Sequence, residues 1–190
     1  MVVFLIPDIF EDFELDSMNV GEQIVSDYLS YIKECEFIQK NLQISEVQGE
    51  IDVIGINLKK KELYVCEVAI HLTTGLRYTK NSKSNNVEKI YEKFEKGIQY
   101  AQKYFPDYKK FFMFWTPIVH DTPNAKNNQI EDIRTIISLV KENHDINLEF
   151  IINDKFLVCL KELRVYAKNE TKALNSPVMR FLQIEESLTP

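Results

Sequence analysis

Apolar residues in this chain recur with a period that switches several times between about 3.6 and 2, and each switch marks an element boundary. Val20, Ile24, Tyr28 and Ile32 follow Ser17 and Asn19, either of which can cap a helix, so a helix is predicted over residues 20–32 with Glu22 off its apolar stripe. Residues 36–44 read as a strand with imperfect alternation. Two strands rich in Val, Ile and Tyr follow at 50–57 and 62–71, joined by the tight connection Asn57-Leu58-Lys59-Lys60-Lys61. Residues 73–86 are polar, contain Gly75 and end Asn81-Ser82-Lys83-Ser84-Asn85-Asn86, the composition of an exposed loop. The strongest helical pattern spans 87–105, where Val87, Ile90, Tyr91, Phe94, Ile98, Ala101 and Phe105 share a face, Lys89, Lys93 and Lys96 lie on a flank, and Pro106 stops the helix. The run Phe111-Phe112-Met113-Phe114-Trp115 lies within a predicted strand over 110–119 and is too continuously apolar for a half-exposed one, so this is a central strand buried on both faces. A helix at 128–142, a strand at 147–152 and one or two helices over 155–188, broken near Asn175-Ser176-Pro177, complete the pattern. This order predicts one α/β domain with a mixed central sheet flanked by helices.

Composition narrows the class. With 190 residues, 45% of them hydrophobic, the chain can bury one substantial core, and its five Gly and six Pro form no linker between halves. Cys35, Cys66 and Cys159 are odd in number and lack zinc-ligand spacing, which predicts reduced, buried cysteines in a cytoplasmic protein. Met1-Val2-Val3-Phe4-Leu5-Ile6-Pro7 has no basic leader and is too short for a signal core, and no window approaches the roughly 20 apolar residues that span a bilayer. No membrane association is expected. The net charge of -6 conceals an uneven distribution: residues 1–32 carry seven acids and no Lys or Arg, whereas residues 77–110 carry nine bases against four acids. A local basic surface attracts phosphate whatever the charge of the whole chain.

The candidate chemistry lies in the hairpin formed by Gly49-Glu50-Ile51-Asp52-Val53-Ile54-Gly55 and Leu63-Tyr64-Val65-Cys66-Glu67-Val68-Ala69. Strand alternation puts Glu50 and Asp52 on one face, and Glu67 and Ala69 on one face of the second strand, and the tight turn brings Glu67 opposite Asp52. Acids embedded in otherwise apolar strands need a partner or a cation. Mg²⁺ is commonly held by one or two carboxylates, with water and phosphate oxygens completing its shell, so the pair suggests a Mg²⁺ or Mn²⁺ site.

These residues resemble the PD-(D/E)XK, or restriction-endonuclease-like, nuclease superfamily, in which an acid ends one strand and a carboxylate, any residue and Lys follow on the next. The similarity is greatest to small bacterial Holliday-junction-resolvase-like members, with a Gly-Glu-Ile-Asp strand leading to a Val-Glu-Val-Lys strand. It covers about residues 19–120 and leaves 121–190 as a C-terminal α/β extension. Glu22, within Gly21-Glu22-Gln23-Ile24-Val25, sits where the family carries a helix acid. The resemblance implies a restriction-endonuclease-like fold and metal-dependent hydrolysis of DNA. Asp52 and Glu67 would be catalytic metal ligands, with the Val68 carbonyl and Glu22 as further ligands. Many proteins of this fold act as dimers, and the apolar, acidic segment 1–16 is a candidate contact with a second subunit. The family lysine would stand at position 69, where this chain has Ala69. Its replacement is sought among Lys89, Lys93 and Lys96, with Lys93 preferred because it lies nearest the apolar face. His71 is a further candidate, and Tyr78, Lys80 and Lys83 are candidate phosphate contacts. His120 and His144 read as loop residues and Trp115 as core. Two alternatives stand beside the nuclease: a non-catalytic nucleic-acid-binding relative, for which Ala69 argues, and an α/β protein whose acid pair is structural and whose lysine helix binds an acidic partner.

Overall fold

The computed structural model describes residues 19–44, 49–123 and 127–188, so the segment 1–16 considered as a subunit contact lies outside the described residues. The elements in chain order are α1 (Val20–Asp27), which continues as a π-helical turn (Tyr28–Ile32), β1 (Phe37–Ile44), β2 (Gly49–Asn57) and β3 (Glu62–Val68). A short hairpin, β4 (Thr79–Lys80) and β5 (Lys83–Ser84), precedes α2 (Asn86–Tyr104). Then come β6 (Lys109–Thr116), α3 (Gln129–His144), β7 (Leu148–Ile152), α4 (Asn153–Asn169) and α5 (Pro177–Leu188). One five-stranded sheet has the order β1-β2-β3-β6-β7, antiparallel through β3 and parallel from β3 to β7. This is the mixed sheet flanked by helices that the alternating periods predict.

The parallel strands need crossovers, and α2 and α3 supply them on one face of the sheet. That face holds Ile54, Val65, Phe112 and Phe114 against Ile90, Phe94, Ile98 and Ile136. On the other face Val53, Cys66, Met113 and Trp115 pack against residues of α1 and its π-helical continuation, α4 and α5, including Leu29, Phe156 and Met179. The alternation within β6 thus feeds two separate cores, which explains its continuously apolar sequence. Trp115 is fully buried, edge-on to Tyr28 at 5.1 Å and to Phe156 at 6.0 Å between ring centroids. Cys35, Cys66 and Cys159 are free thiols and buried. No helix among the described residues is long and apolar enough to cross a membrane.

Three sequence expectations are corrected. The strand expected to run to residue 71 ends at Val68, and the expected loop after it contains the β4–β5 hairpin. The apolar stripe of α1 is rotated: Val20 is 52% exposed, whereas Glu22, expected off the stripe, is only 8% exposed. The cause is Gly21, which presses α1 onto the chain beyond β3; a Cβ there would lie 2.2 Å from Ile70 Cγ1. The helix is therefore oriented by a glycine contact that hydrophobic periodicity does not register.

Candidate active site

The β2–β3 ladder runs from Asn57↔Glu62 to Val53↔Cys66, which places Asp52 opposite Glu67 at the point where backbone pairing stops. There the Asp52 carboxylate takes over from the ladder, its Oδ2 accepting the Val68 N–H at 2.7 Å. Asp52 is 6% and Glu67 1% exposed. By alternation with Ile54 and Val65, both point toward the α2 layer.

Helix α2 brings the cation. Gly97 allows it to sit close to the sheet, since a Cβ at that position would be 2.9 Å from Val65 Cγ1. One turn earlier, Lys93 lies on the flank of the buried stripe that includes Ile90, Phe94 and Gly97, so its side chain runs along the edge of the core. Its Nζ donates to Glu67 Oε2 at 2.5 Å and to Asp52 Oδ2 and Oδ1 at 3.1 and 3.2 Å. The lysine side chain is 22% exposed and is the most accessible of the three groups.

Charge and burial oppose each other here. Burial, and then the negative charge of Asp52, push the Glu67 carboxyl up to about 8 in spite of the attraction of Lys93. Burial acts against the Lys93 ammonium too, but the Glu67 and Asp52 carboxylates outweigh it and hold that group above the ordinary lysine range. Glu67 Oε1 is buried and receives no donor, and the Glu67 carboxyl lies close enough to Asp52 to share a proton with it, which also favours its protonated form. A buried carboxylate oxygen without a donor is costly, and engaging a hard cation would relieve that cost.

Glu22 is adjacent rather than joined to this group. The Asn19 amide donates to its Oε1, and Asn41 also hydrogen-bonds it. Burial, followed by the charge of Asp52, raises its proton affinity. Asn41 has a φ of +50° and falls opposite Asp52 in β1, between the pairs Lys40↔Val53 and Leu42↔Ile51. No three His, Cys, Asp or Glu side chains among the described residues are gathered as a metal site. The structure thus brings Asp52, Glu67 and Lys93 into direct contact, with Val68 joined through its N–H and Glu22 beside Asp52.

The remaining candidates lie around this centre. Lys89 and Lys96 line a groove with Gln43, Gly49, Glu50 and Lys93. Tyr78 lies within the electrostatic reach of Lys93, Asp52 and Glu67, with burial as the main cause of its raised proton affinity. His71 is exposed beyond the end of β3, and Lys80 and Lys83 are exposed on the β4–β5 hairpin. His144, expected in a loop, is instead the last residue of α3, 3.5 Å from the Tyr91 hydroxyl and 3.6 Å from the Glu95 carboxylate, and His120 contacts the Thr73 carbonyl. Sequence reasoning missed Asn19 and Asn41. The capping position of Asn19 was legible, but its bond to Glu22 was not. In comparisons with known proteins, no family model matches the chain and no curated protein matches it.

Proposed function

We infer that the chain is a metal-dependent nuclease that hydrolyses DNA phosphodiester bonds, acting as an endonuclease. The observation that carries this reading is the single lysine, Lys93, contacting two buried carboxylates that meet across neighbouring strands. Asp52 and Glu67 suit a Mg²⁺ or Mn²⁺ ion, with Glu67 Oε1 as an unclaimed buried acceptor and Glu22 beside Asp52 as a further acid. Such an ion, when bound, lowers the pKa of its water and stabilises the attacking and leaving oxygens of a phosphoryl transfer. Lys93 stands at the accessible side of the pair and presents positive charge where charge develops on the phosphate. A lysine from the helix thus takes the role that Ala69 cannot perform. Substrate steering would come from the basic stretch that follows β3.

A second reading rests on Ala69, which is 6% exposed and places a methyl group at the position of the resembled lysine. On that reading the protein binds nucleic acid without cutting it. Labelled linear, circular, single-stranded and four-way-branched DNA, incubated with Mg²⁺ or Mn²⁺, separates the two. Metal-dependent cutting that disappears in Asp52→Ala and Glu67→Ala supports the nuclease. Retarded but intact substrate favours the binding relative, and neither binding nor cutting removes both.

A further inference from the structure

The chain between the catalytic strand and α2 holds an element whose order is unusual for its composition. Strands β4 and β5 have two residues each, pair as Thr79↔Ser84 and Lys80↔Lys83, and expose all four of those side chains. Asn81 and Ser82 join them with φ of +52° and +61°, the left-handed pair that a two-residue type I′ hairpin turn requires. Hairpins this short are not stable alone, and no apolar side chain of this one enters the core. It is held from its root by Leu76, which is 1% exposed in the core, by Tyr78 packed against that core, and by polar groups. Asn86, 4% exposed, accepts the Tyr78 N–H at 2.7 Å and donates to the Leu76 carbonyl at 3.3 Å and to Asp132 Oδ2 at 2.7 Å. Gln129 Oε1 accepts the Leu76 N–H at 3.1 Å, and its amide donates to the Thr74 carbonyl at 2.9 Å.

What this scaffold displays is cationic. No Asp or Glu occurs between Glu67 and Glu88, and Arg77, Lys80 and Lys83 lie in that interval. Only Lys80 has an ion-pair partner among the described residues, Glu88 at 3.0 Å, and that pair is exposed. Between the ribbon and the start of α3 lies a cleft of about 240 Å³ whose lining includes Arg77, Thr79, Ser82, Ser84, Asn127 and Gln129, all potential donors to phosphate oxygens. The ribbon leads directly from Tyr78, which senses the charges of Lys93, Asp52 and Glu67. A rigidly rooted, exposed, acid-free ribbon beside a phosphodiester-cleaving centre fits one chemistry, the polyanionic backbone of the substrate.

We propose that the β4–β5 hairpin is a phosphate-gripping arm, in which Arg77, Lys80 and Lys83 contact the nucleic-acid backbone next to the bond presented to Asp52, Glu67 and Lys93. The proposal rests on the nuclease reading and adds the element that positions the substrate. A two-stranded ribbon also has the dimensions to enter the major groove of a duplex.

The test measures binding of labelled duplex and single-stranded DNA by fluorescence anisotropy, in EDTA, over a series of salt concentrations. The triple variant Arg77→Gln/Lys80→Gln/Lys83→Gln is set against Lys59→Gln/Lys60→Gln/Lys61→Gln, which removes the same charge from the turn at the other end of β3. Each lost phosphate contact flattens the slope of log K against log salt by about 0.9 for a duplex and about 0.7 for a single strand. Three lost contacts therefore flatten the duplex slope by about 2.7, with at least a tenfold loss of affinity at low salt. The control variant keeps the wild-type slope. An arm variant that keeps the wild-type slope, or a control that loses as much, overturns the proposal, and so does a wild-type protein that binds neither DNA. Metal-dependent cleavage assayed in parallel keeps the two ideas apart: cutting with an unaltered salt slope in the arm variant removes the arm alone, whereas a flattened slope without any wild-type cutting leaves a binding arm and removes the nuclease.

Discussion

Replacing Glu67 with Gln tests whether the candidate site is maintained against the stability of the fold. The Glu67 carboxyl is lifted from an ordinary 4.5 to about 8, chiefly by burial and next by Asp52, and this already includes the opposing pull of Lys93. A folded-state pKa above the unfolded one means that the native protein holds the proton more tightly, so stability is lost as pH rises from about 4.5 to about 8. At about 1.4 kcal/mol for each tenfold change in proton affinity, the ionised side chain costs up to about 5 kcal/mol above that window. Lys93 does not confuse the reading: its raised pKa gives a contribution that is fully present below its ordinary 10.5, and therefore constant across the window. Glu22 and Asp27 are raised in the same direction as Glu67, but they are common to both proteins and cancel in the comparison. Gln has nearly the shape of Glu and keeps an oxygen for the Lys93 ammonium. Urea unfolding in EDTA between about pH 5 and pH 9, followed through the sole tryptophan, should show the variant gaining on wild type by about 3–5 kcal/mol as pH rises through the window. At this chain length that corresponds to a rise in Tm of about 6–20 °C. The same variant should lose metal-dependent cleavage. A stability difference that stays flat from about pH 5 to pH 9, or a variant less stable than wild type at the alkaline end, would refute the argument.

Three further outcomes follow from the same contacts. Lys93→Met should slow cleavage by about 10²–10³, the usual cost of one electrostatic stabiliser, and should move Mn²⁺ binding, followed by titration calorimetry, to higher pH because Glu67 loses the charge that favours its ionisation; wild-type turnover would exclude Lys93 from the reaction. Trp115→Ala removes the largest fully buried side chain from between Tyr28 and Phe156 and should cost about 3–5 kcal/mol, read by circular dichroism. Asn86→Ala leaves the Tyr78 N–H and the Leu76 carbonyl without their partner, so it should cost about 1–3 kcal/mol and accelerate amide exchange at Tyr78, while exchange in the centre of β6 slows or speeds only with global stability.

The parts of this fold that could be read in the sequence are those decided by local period. Helix α2 and strand β6 were legible because their apolar residues recur over many positions, and the opposition of Asp52 and Glu67 followed from alternation and a short turn. Lys93 was legible as the lysine nearest the apolar boundary of its helix. What escaped was decided by contacts distant in sequence. The β4–β5 hairpin has no hydrophobic pattern of its own, and its root is held by the burial of Leu76 together with Asn86 and Gln129, the latter more than fifty residues beyond Leu76. The orientation of α1 depends on Gly21 meeting Ile70. That helix is also covered on more than one side, by the sheet and by α5, so its apolar stripe is a poor guide to what is buried, and Glu22 was misplaced for that reason.

The four buried acids among the described residues differ in a way that separates structure from candidate function. Asp27 sits between α1 and α5 with Ser176 donating at 2.5 Å and Gln23 at 3.0 Å, so each of its oxygens has a donor and its burial ties two helices together. Glu22 is capped by Asn19 and Asn41. Asp52 bonds the Val68 N–H and shares Lys93. Glu67 alone, the most buried of the four, is left with an unpartnered oxygen and a neighbouring like charge. A well-packed apolar residue at position 67 would serve the core better, since replacing buried ionic groups by hydrophobic ones is often neutral or stabilising. Departures of this kind, where one position conflicts with the packing around it, are expected at functional sites. The conflict falls next to the end of β3, where α2 delivers Lys93 to it and Tyr78, at the root of the basic hairpin, lies within reach of the same charges, an arrangement that suits the proposed handling of a phosphate.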